Sequence, residues 1–360
     1  MRQTCLLSEL MEEYCVALQN EKPANEETQK RYRDALDTML RLLGDREITG
    51  YTRQDLLVLK TKLYRWPANV NKLKEFHGKT AEEIVRMKTA RTLDKRTVDI
   101  KYMDKIAAVF QYAFRQGMVA GDIAQNVVKA ATVAEKKADK RKPYDMEDLK
   151  KIFASMPVHP ERPHLAWIPL IAAYSGARHG ELCRLKVSDI NVSHRIPSML
   201  VTEEDDRGNI VTNARGEASQ RLVPLHPLLV EMGLLEFVAR RKAQGKELLF
   251  ELRRKGSDEF VPLTGEYYAR SFEAFNRKHV TNDRRKSFYS FRFNVHRALL
   301  LKKVSLEICF AITGHVPQYG SAQIAAEDHR LADKYSALVQ LAYPGIDLAA
   351  LKEKLGILFR

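Results

Sequence analysis

Tyr174-Ser-Gly-Ala-Arg-His-Gly-Glu-Leu-Cys-Arg-Leu185, running on to Asp189-Ile190, decides how this chain of 360 residues is read. A glycine-containing turn delivers Arg178 to the start of an amphipathic helix. That is a good place to hold a phosphate, because a guanidinium donates through a planar fork and stays charged. The apolar stretch ahead of it, 165–174, predicts a buried helix feeding the turn. A second arginine, Arg292, lies downstream in Phe288-Tyr-Ser-Phe-Arg-Phe293, and a Gly-His pair, Gly314-His315, follows it.

Working outward, the chain divides by pattern. Before residue 130 no strand-like alternation appears. Helices are predicted over 24–45 (Tyr32, Leu36, Met39, Leu40 and Leu43, stopped by Gly44), over 52–64 (broken by Trp66-Pro67) and over 95–116 (Val98, Tyr102, Ile106, Val109, Phe110 and Ala113). The stretch 91–105 is rich in cations: Arg91, Lys95, Arg96, Lys101 and Lys105. Next comes Glu135-Lys-Lys-Ala-Asp-Lys-Arg-Lys-Pro143, a linker by composition, whose Lys136, Lys137, Lys140, Arg141 and Lys142 suit either a solvated loop or a strap along a phosphate backbone. Asp145 and the acids after it open a new helix. Segments 199–202, 209–212 and 220–226 predict a small antiparallel sheet around the acidic run Glu203-Glu-Asp-Asp206, and the remainder is predicted helical apart from loops near Gly256 and Gly265. The expected fold class is therefore mainly α with a small antiparallel β-sheet: a helical unit 1–134, a basic linker 135–143 and a second domain 144–360.

Composition narrows the function. A net charge of +14 favours a polyanionic partner, and nucleic acid is the commonest. No run approaches the roughly 18 apolar residues of a membrane span. The N-terminus lacks the apolar core of a secretory signal. Cys5, Cys15, Cys183 and Cys309 have neither metal nor disulfide spacing and read as reduced thiols of an intracellular protein. Phosphate-binding P-loop, HExxH and CxxC motifs are absent, and no metal is expected.

The two arginine boxes and the Gly-His pair together resemble the tyrosine recombinase (phage integrase) family. The likeness is specific over about 145–350 and loose over 1–130; the ending Tyr343-Pro-Gly-Ile-Asp-Leu is also similar to endings of integrase relatives. It implies a recombinase catalytic fold preceded by an all-α core-binding domain, closing as a C-shaped clamp on duplex DNA. Arg178, Arg292 and His315 would grip the scissile phosphate, with Glu181 supporting the first arginine and Asp189 as the family's structural acid. Lys95, Arg96 and Lys101, with the linker cations, would bind DNA. It implies no cofactor, a homo-oligomer (a dimer on a site, a tetramer at synapsis) or a partner recombinase, no membrane, and a cytoplasmic setting, at a prokaryotic nucleoid or encoded by a phage or mobile element.

The chain departs from the family pattern at four places. Tyr289 stands where a histidine is expected, and Phe293 where relatives usually carry another. Arg215 stands where a lysine would protonate the leaving 5′ oxygen. The nucleophilic tyrosine is expected about nine or ten residues after the histidine, where this chain has Ile324 and Ala325. Tyr335, and less so Tyr319, is the fallback nucleophile; alternatively Ala325 replaces the tyrosine by engineering or by natural divergence. Two leading functions follow. One is a site-specific recombinase or integrase cleaving and rejoining DNA through a 3′-phosphotyrosine. The other is a catalytically inactive DNA-binding accessory protein on the same fold. A relaxing activity of the type IB topoisomerase kind is a third.

Overall fold

The computed structural model describes residues 5–21, 26–87, 91–127, 141–192, 195–203, 210, 220–253, 256–314 and 330–359. The chain separates into two compact units, Met1–Lys136 and Lys137–Arg360.

The first unit is helical. Its elements are α1 (Leu7–Glu21), α2 (Glu26–Leu43), α3 (Arg53–Leu63), α4 (Ala81–Arg86), and a long helix that begins as α5 (Lys95–Thr97), passes through a π-helical stretch Val98–Met103 and ends as α6 (Asp104–Arg115). Helix α3 starts where its sequence dictates. The Thr52 hydroxyl accepts from the Asp55 amide at 3.2 Å, and the Asp55 carboxylate accepts from the Thr52 amide at 2.8 Å, a reciprocal cap. Leu7, Leu10, Leu36, Met39, Leu56, Leu59, Val109 and Phe110 form the centre of the core. Inside it, the Lys60 ammonium lies 2.7 Å from Asp99 and donates to the Val127 carbonyl at 3.2 Å. Helix α1 was not expected from the sequence, although Leu7, Leu10, Met11 and Tyr14 carry its periodicity. Lys105, one of the cations of the 91–105 stretch, is buried, 2.8 Å from Asp104 and 5.3 Å from the Tyr32 ring.

The second unit wraps helices around α8 (His164–Ser175). Being apolar all round, α8 is buried all round. Before it lies α7 (Met146–Ser155), opened by the Asp145 cap; after it come the turn at Gly176 and the short α9 (His179–Cys183). Strands β1 (Ile190–Asn191), β2 (Ser198–Thr202) and β3 (Gln220–Pro224) pair antiparallel in that order, with Met199 opposite Val223 and Val201 opposite Arg221. The expected strand at 209–212 lies outside the described residues except for Ile210, and the strand at 190–191 was not expected. After α10 (Pro227–Glu231) and α11 (Leu234–Ala243), a hairpin of β4 (Glu251–Arg253) and β5 (Phe260–Pro262), not expected from the sequence, flanks the loop that was expected around Gly256. The loop expected near Gly265 is confined to Leu263 and Thr264, and Gly265 is the first residue of α12 (Gly265–His279). The chain continues through α13 (Ser290–Leu301), α14 (Leu306–Thr313), α15 (Leu331–Leu338) and α16 (Leu348–Leu355). Trp167, Phe237, Phe250, Phe272 and Phe291 fill the core these elements share. Cys15, Cys183 and Cys309 are buried free thiols, and Cys5 is half-buried.

Candidate functional site

Three guanidiniums gather around one buried carboxylate. Gly176 ends α8 in the left-handed region at φ 69°, a conformation glycine adopts without penalty, and turns the chain so that Arg178 caps α9. Three residues on, Glu181 reaches back. Its Oε2 accepts from the Arg178 amide at 2.7 Å and its Oε1 from Arg178 Nη1 at 3.0 Å. Arg178 is half-buried, while the Glu181 side chain is fully buried.

Arg221 completes the carboxylate's shell. Its Nη1 and Nη2 donate to the two Glu181 oxygens at 3.0 and 2.8 Å, and its Nε donates to the Ile312 carbonyl at 3.1 Å. Burial pushes the Glu181 carboxyl up, but Arg221, then Arg178 and Arg292, outweigh it and bring the pKa down to about 2. The Glu181 carboxylate is therefore fixed and ionised, and it holds Arg178 in one orientation.

Arg292, on the first turns of α13, is wholly buried. Its Nη1 donates to the Gly176 carbonyl at 3.0 Å and to the Thr313 carbonyl. Its Nε and Nη2 are buried and have no hydrogen-bond partner among the described residues. Each such unmet donor costs about 1–3 kcal/mol. Burial, then repulsion from Arg178 and Arg221, draws the Arg292 pKa down to about 9. Guanidinium keeps its proton in protein interiors, so this pull expresses an unmet demand for negative charge. Among the described residues, Glu181 offsets one of the three positive charges, and Glu203, 3.9 Å from Arg221 Nη1, a second. One charge remains over, and Lys334 adds another nearby: buried on α15, it donates to the Leu222 carbonyl at 3.0 Å, and its pKa is lowered by burial and then by Arg221. Such an arrangement receives an oxyanion and repels a cation. Among the described residues no group of His, Cys, Asp and Glu could hold a metal ion.

Arg178 and Arg292, the two arginines singled out from the sequence, are thus brought to one electrostatic cluster. Tyr289 is beside it, half-buried at the entrance to α13, with its ring 6.0 Å from the Arg292 guanidinium carbon and 5.1 Å from that of Arg141. Lys142 is tied to the same region: its amide donates to the Arg285 carbonyl at 2.9 Å and its carbonyl accepts from Ser290 Oγ at 2.6 Å. Tyr335 is half-buried on α15, next to Lys334. Lys95, Arg96 and Lys101 are exposed in the first unit. Arg215, His315, Tyr319 and Ala325, with Lys136, Lys137 and Lys140, lie outside the described residues.

Sequence reasoning missed Arg221 and Lys334. The signal for Arg221 was present: it sits two residues before Val223 in a strand and so shares that residue's inward face.

No protein-family model matches the sequence, and no curated protein matches it. Solved structures do. A lambda integrase dimer bound to a COC′ core site is 16% identical, with 91% of this chain and 96% of that one covered at a TM-score of 0.54. The Tn1549 transposon integrase in complex with transposon right end DNA is 15% identical, covering 92% and 98% at 0.58. XerH site-specific recombinase bound to a palindromic difH substrate is 16% identical, covering 98% and 85% at 0.54. The chain has the tyrosine-recombinase fold. Within the tyrosine-recombinase fold the helical first unit, the small antiparallel sheet and the helices after it agree with the fold class expected from the sequence. No helix among the described residues is long and apolar enough to cross a membrane.

Proposed function

We propose that this chain binds duplex DNA and grips a single phosphodiester for site-specific strand cleavage and rejoining, as a recombinase or integrase of a mobile element. The observation that carries this reading is the pair of buried donors on Arg292 that have no partner among the described residues, in a cluster whose described residues carry surplus positive charge. A phosphodiester supplies the missing acceptors and the missing charge together. Arg178, oriented by Glu181, and Arg292 hold the non-bridging oxygens; His315, Arg215 and Tyr289 complete the set in the recombinase reading. Lys95, Arg96 and Lys101 of a core-binding domain, and the cations of the linker, supply backbone contacts and strong salt dependence. The protein works as a dimer on its site and a tetramer at synapsis, without cofactor. DNA in the solved neighbours supports this reading.

In the catalytic form Tyr335 attacks the phosphorus, its hydroxyl proton leaves, the bond to the 5′ oxygen breaks, and that oxygen is protonated while a 3′-phosphotyrosine forms. A specific observation favours a second reading, a DNA-binding accessory protein that does not cleave: Ala325 occupies a place where the family resemblance expects the nucleophile. The test begins with selection of a bound duplex from a random pool, followed by a nicked suicide version of it. A covalent adduct mapped by mass spectrometry to Tyr335 establishes the enzyme. Tight binding with no adduct, even after Ala325→Tyr, establishes the accessory protein. Absence of duplex binding overturns both.

A further inference from the structure

One guanidinium outside the two arginine boxes joins segments that are far apart in the chain. Arg221 is 7% exposed on β3. Its fork is spent on the two oxygens of Glu181, the residue that sets both the main chain and the side chain of Arg178. Its Nε is spent on Ile312, in the last turn of α14. The next residue but one is Gly314, which caps α14 in the left-handed region at φ 72°. A β-carbon on Gly314 would stand 2.6 Å from Arg221 Nη1, 2.7 Å from Cζ and 3.0 Å from Nε. Arg221 therefore occupies the space a side chain at 314 would need. A lysine reproduces this poorly, since its donors radiate from a single nitrogen and cannot form the two parallel bonds to the carboxylate while reaching the Ile312 carbonyl.

We propose that Arg221 is the positioning residue that sets Arg178 and the Gly314 cap of α14 in register with each other. It acts through Glu181 on one side and through the end of α14 on the other, and does not itself touch DNA. This rests on the reading of the cluster as a phosphodiester site.

The experiment is equilibrium binding of the full chain to a mixed-sequence duplex across a salt series. A wild-type chain with no salt-dependent binding overturns the phosphodiester reading itself, before any variant is compared. Given such binding, Arg178→Ala loses one phosphate contact, and the slope of log affinity against log salt falls by about 0.9. Arg221→Met is expected to lower the slope by the same amount through Arg178. The double variant is expected to lose no more than either single one, and Arg221→Lys to restore little of the slope despite keeping the charge. Arg221→Met with the wild-type slope overturns the proposal. So does a double variant that loses about 1.8, since that is the signature of two separate phosphate contacts. Should Arg221→Met not fold, Gly314→Ala addresses the same contact from the opposite side. It is expected to depress the slope in the wild-type chain, and an unchanged slope there also overturns the proposal.

Discussion

A β-carbon placed on Gly176 would stand 2.9 Å from Cγ2 of Thr313. The carbonyls of these same two residues accept from Arg292 Nη1, so the close approach of the α8 cap to the end of α14 is what forms the arginine's seat. Gly176→Ala adds a left-handed alanine and a steric clash at once. It is expected to destabilise the fold by about 2–4 kcal/mol. Urea unfolding measures the loss, and an unchanged midpoint would contradict the described packing.

Glu181 makes stability depend on acid. Its folded pKa, about 2, is below the ordinary value of 4.5, so its contribution is present above pH 4.5 and is lost as pH falls through 2. The difference corresponds to about 3 kcal/mol. Glu181→Gln removes that dependence and leaves the guanidiniums uncompensated, at a cost of about 3–5 kcal/mol near neutral pH. Unfolding free energies of the two proteins, compared from pH 6 downward, should converge.

Lys334 shifts stability in the same direction, at the alkaline end. Its pKa is lowered from 10.5, so the folded protein releases the proton first, and stability rises with pH in the window that ends at 10.5. Relative to Lys334→Met, the wild-type chain should gain stability as pH rises toward 10.5. A difference that stays flat with pH would show that the ammonium is solvated rather than buried beside Arg221.

In the first unit, Lys60 and Asp99 form a pair that neither residue tolerates losing alone. Asp99→Asn strands a buried ammonium and is expected to cost about 3–5 kcal/mol. Lys60→Met combined with Asp99→Leu should cost less than the sum of the two single changes. A double-mutant cycle on the full chain, followed by unfolding, measures the coupling.

How much of this was legible in the sequence varies with the element. Helices α2, α3 and the 95–115 helix were readable because their apolar residues recur at helical spacing and Gly44 and Pro67 stop two of them. Helix α1 carried the same signal at Leu7, Leu10, Met11 and Tyr14, and nothing physical hid it. The β4–β5 hairpin was not readable: three-residue strands whose side chains are mostly exposed or half-buried leave no alternation. At the site, Arg178 was legible because it follows a glycine turn at the start of a helix, and Glu181 and Arg292 through the resemblance to the family's two arginine boxes. The unmet donors of Arg292 were not, since they arise from how α8, α13 and α14 converge. Lys334 is one lysine among 60 basic residues until α15 docks on β3.

The π-helical stretch Val98–Met103 has a consequence for how this chain can vary over generations. A codon inserted into an ordinary α-helix turns everything beyond it by about 100°. A wider turn absorbs the extra residue where it stands. The stretch lies between Lys95 and Arg96 on one side and Ile106, Val109 and Phe110 on the other. Length can therefore change there while the surface-facing pair keeps its aim and the interior-facing trio stays in phase.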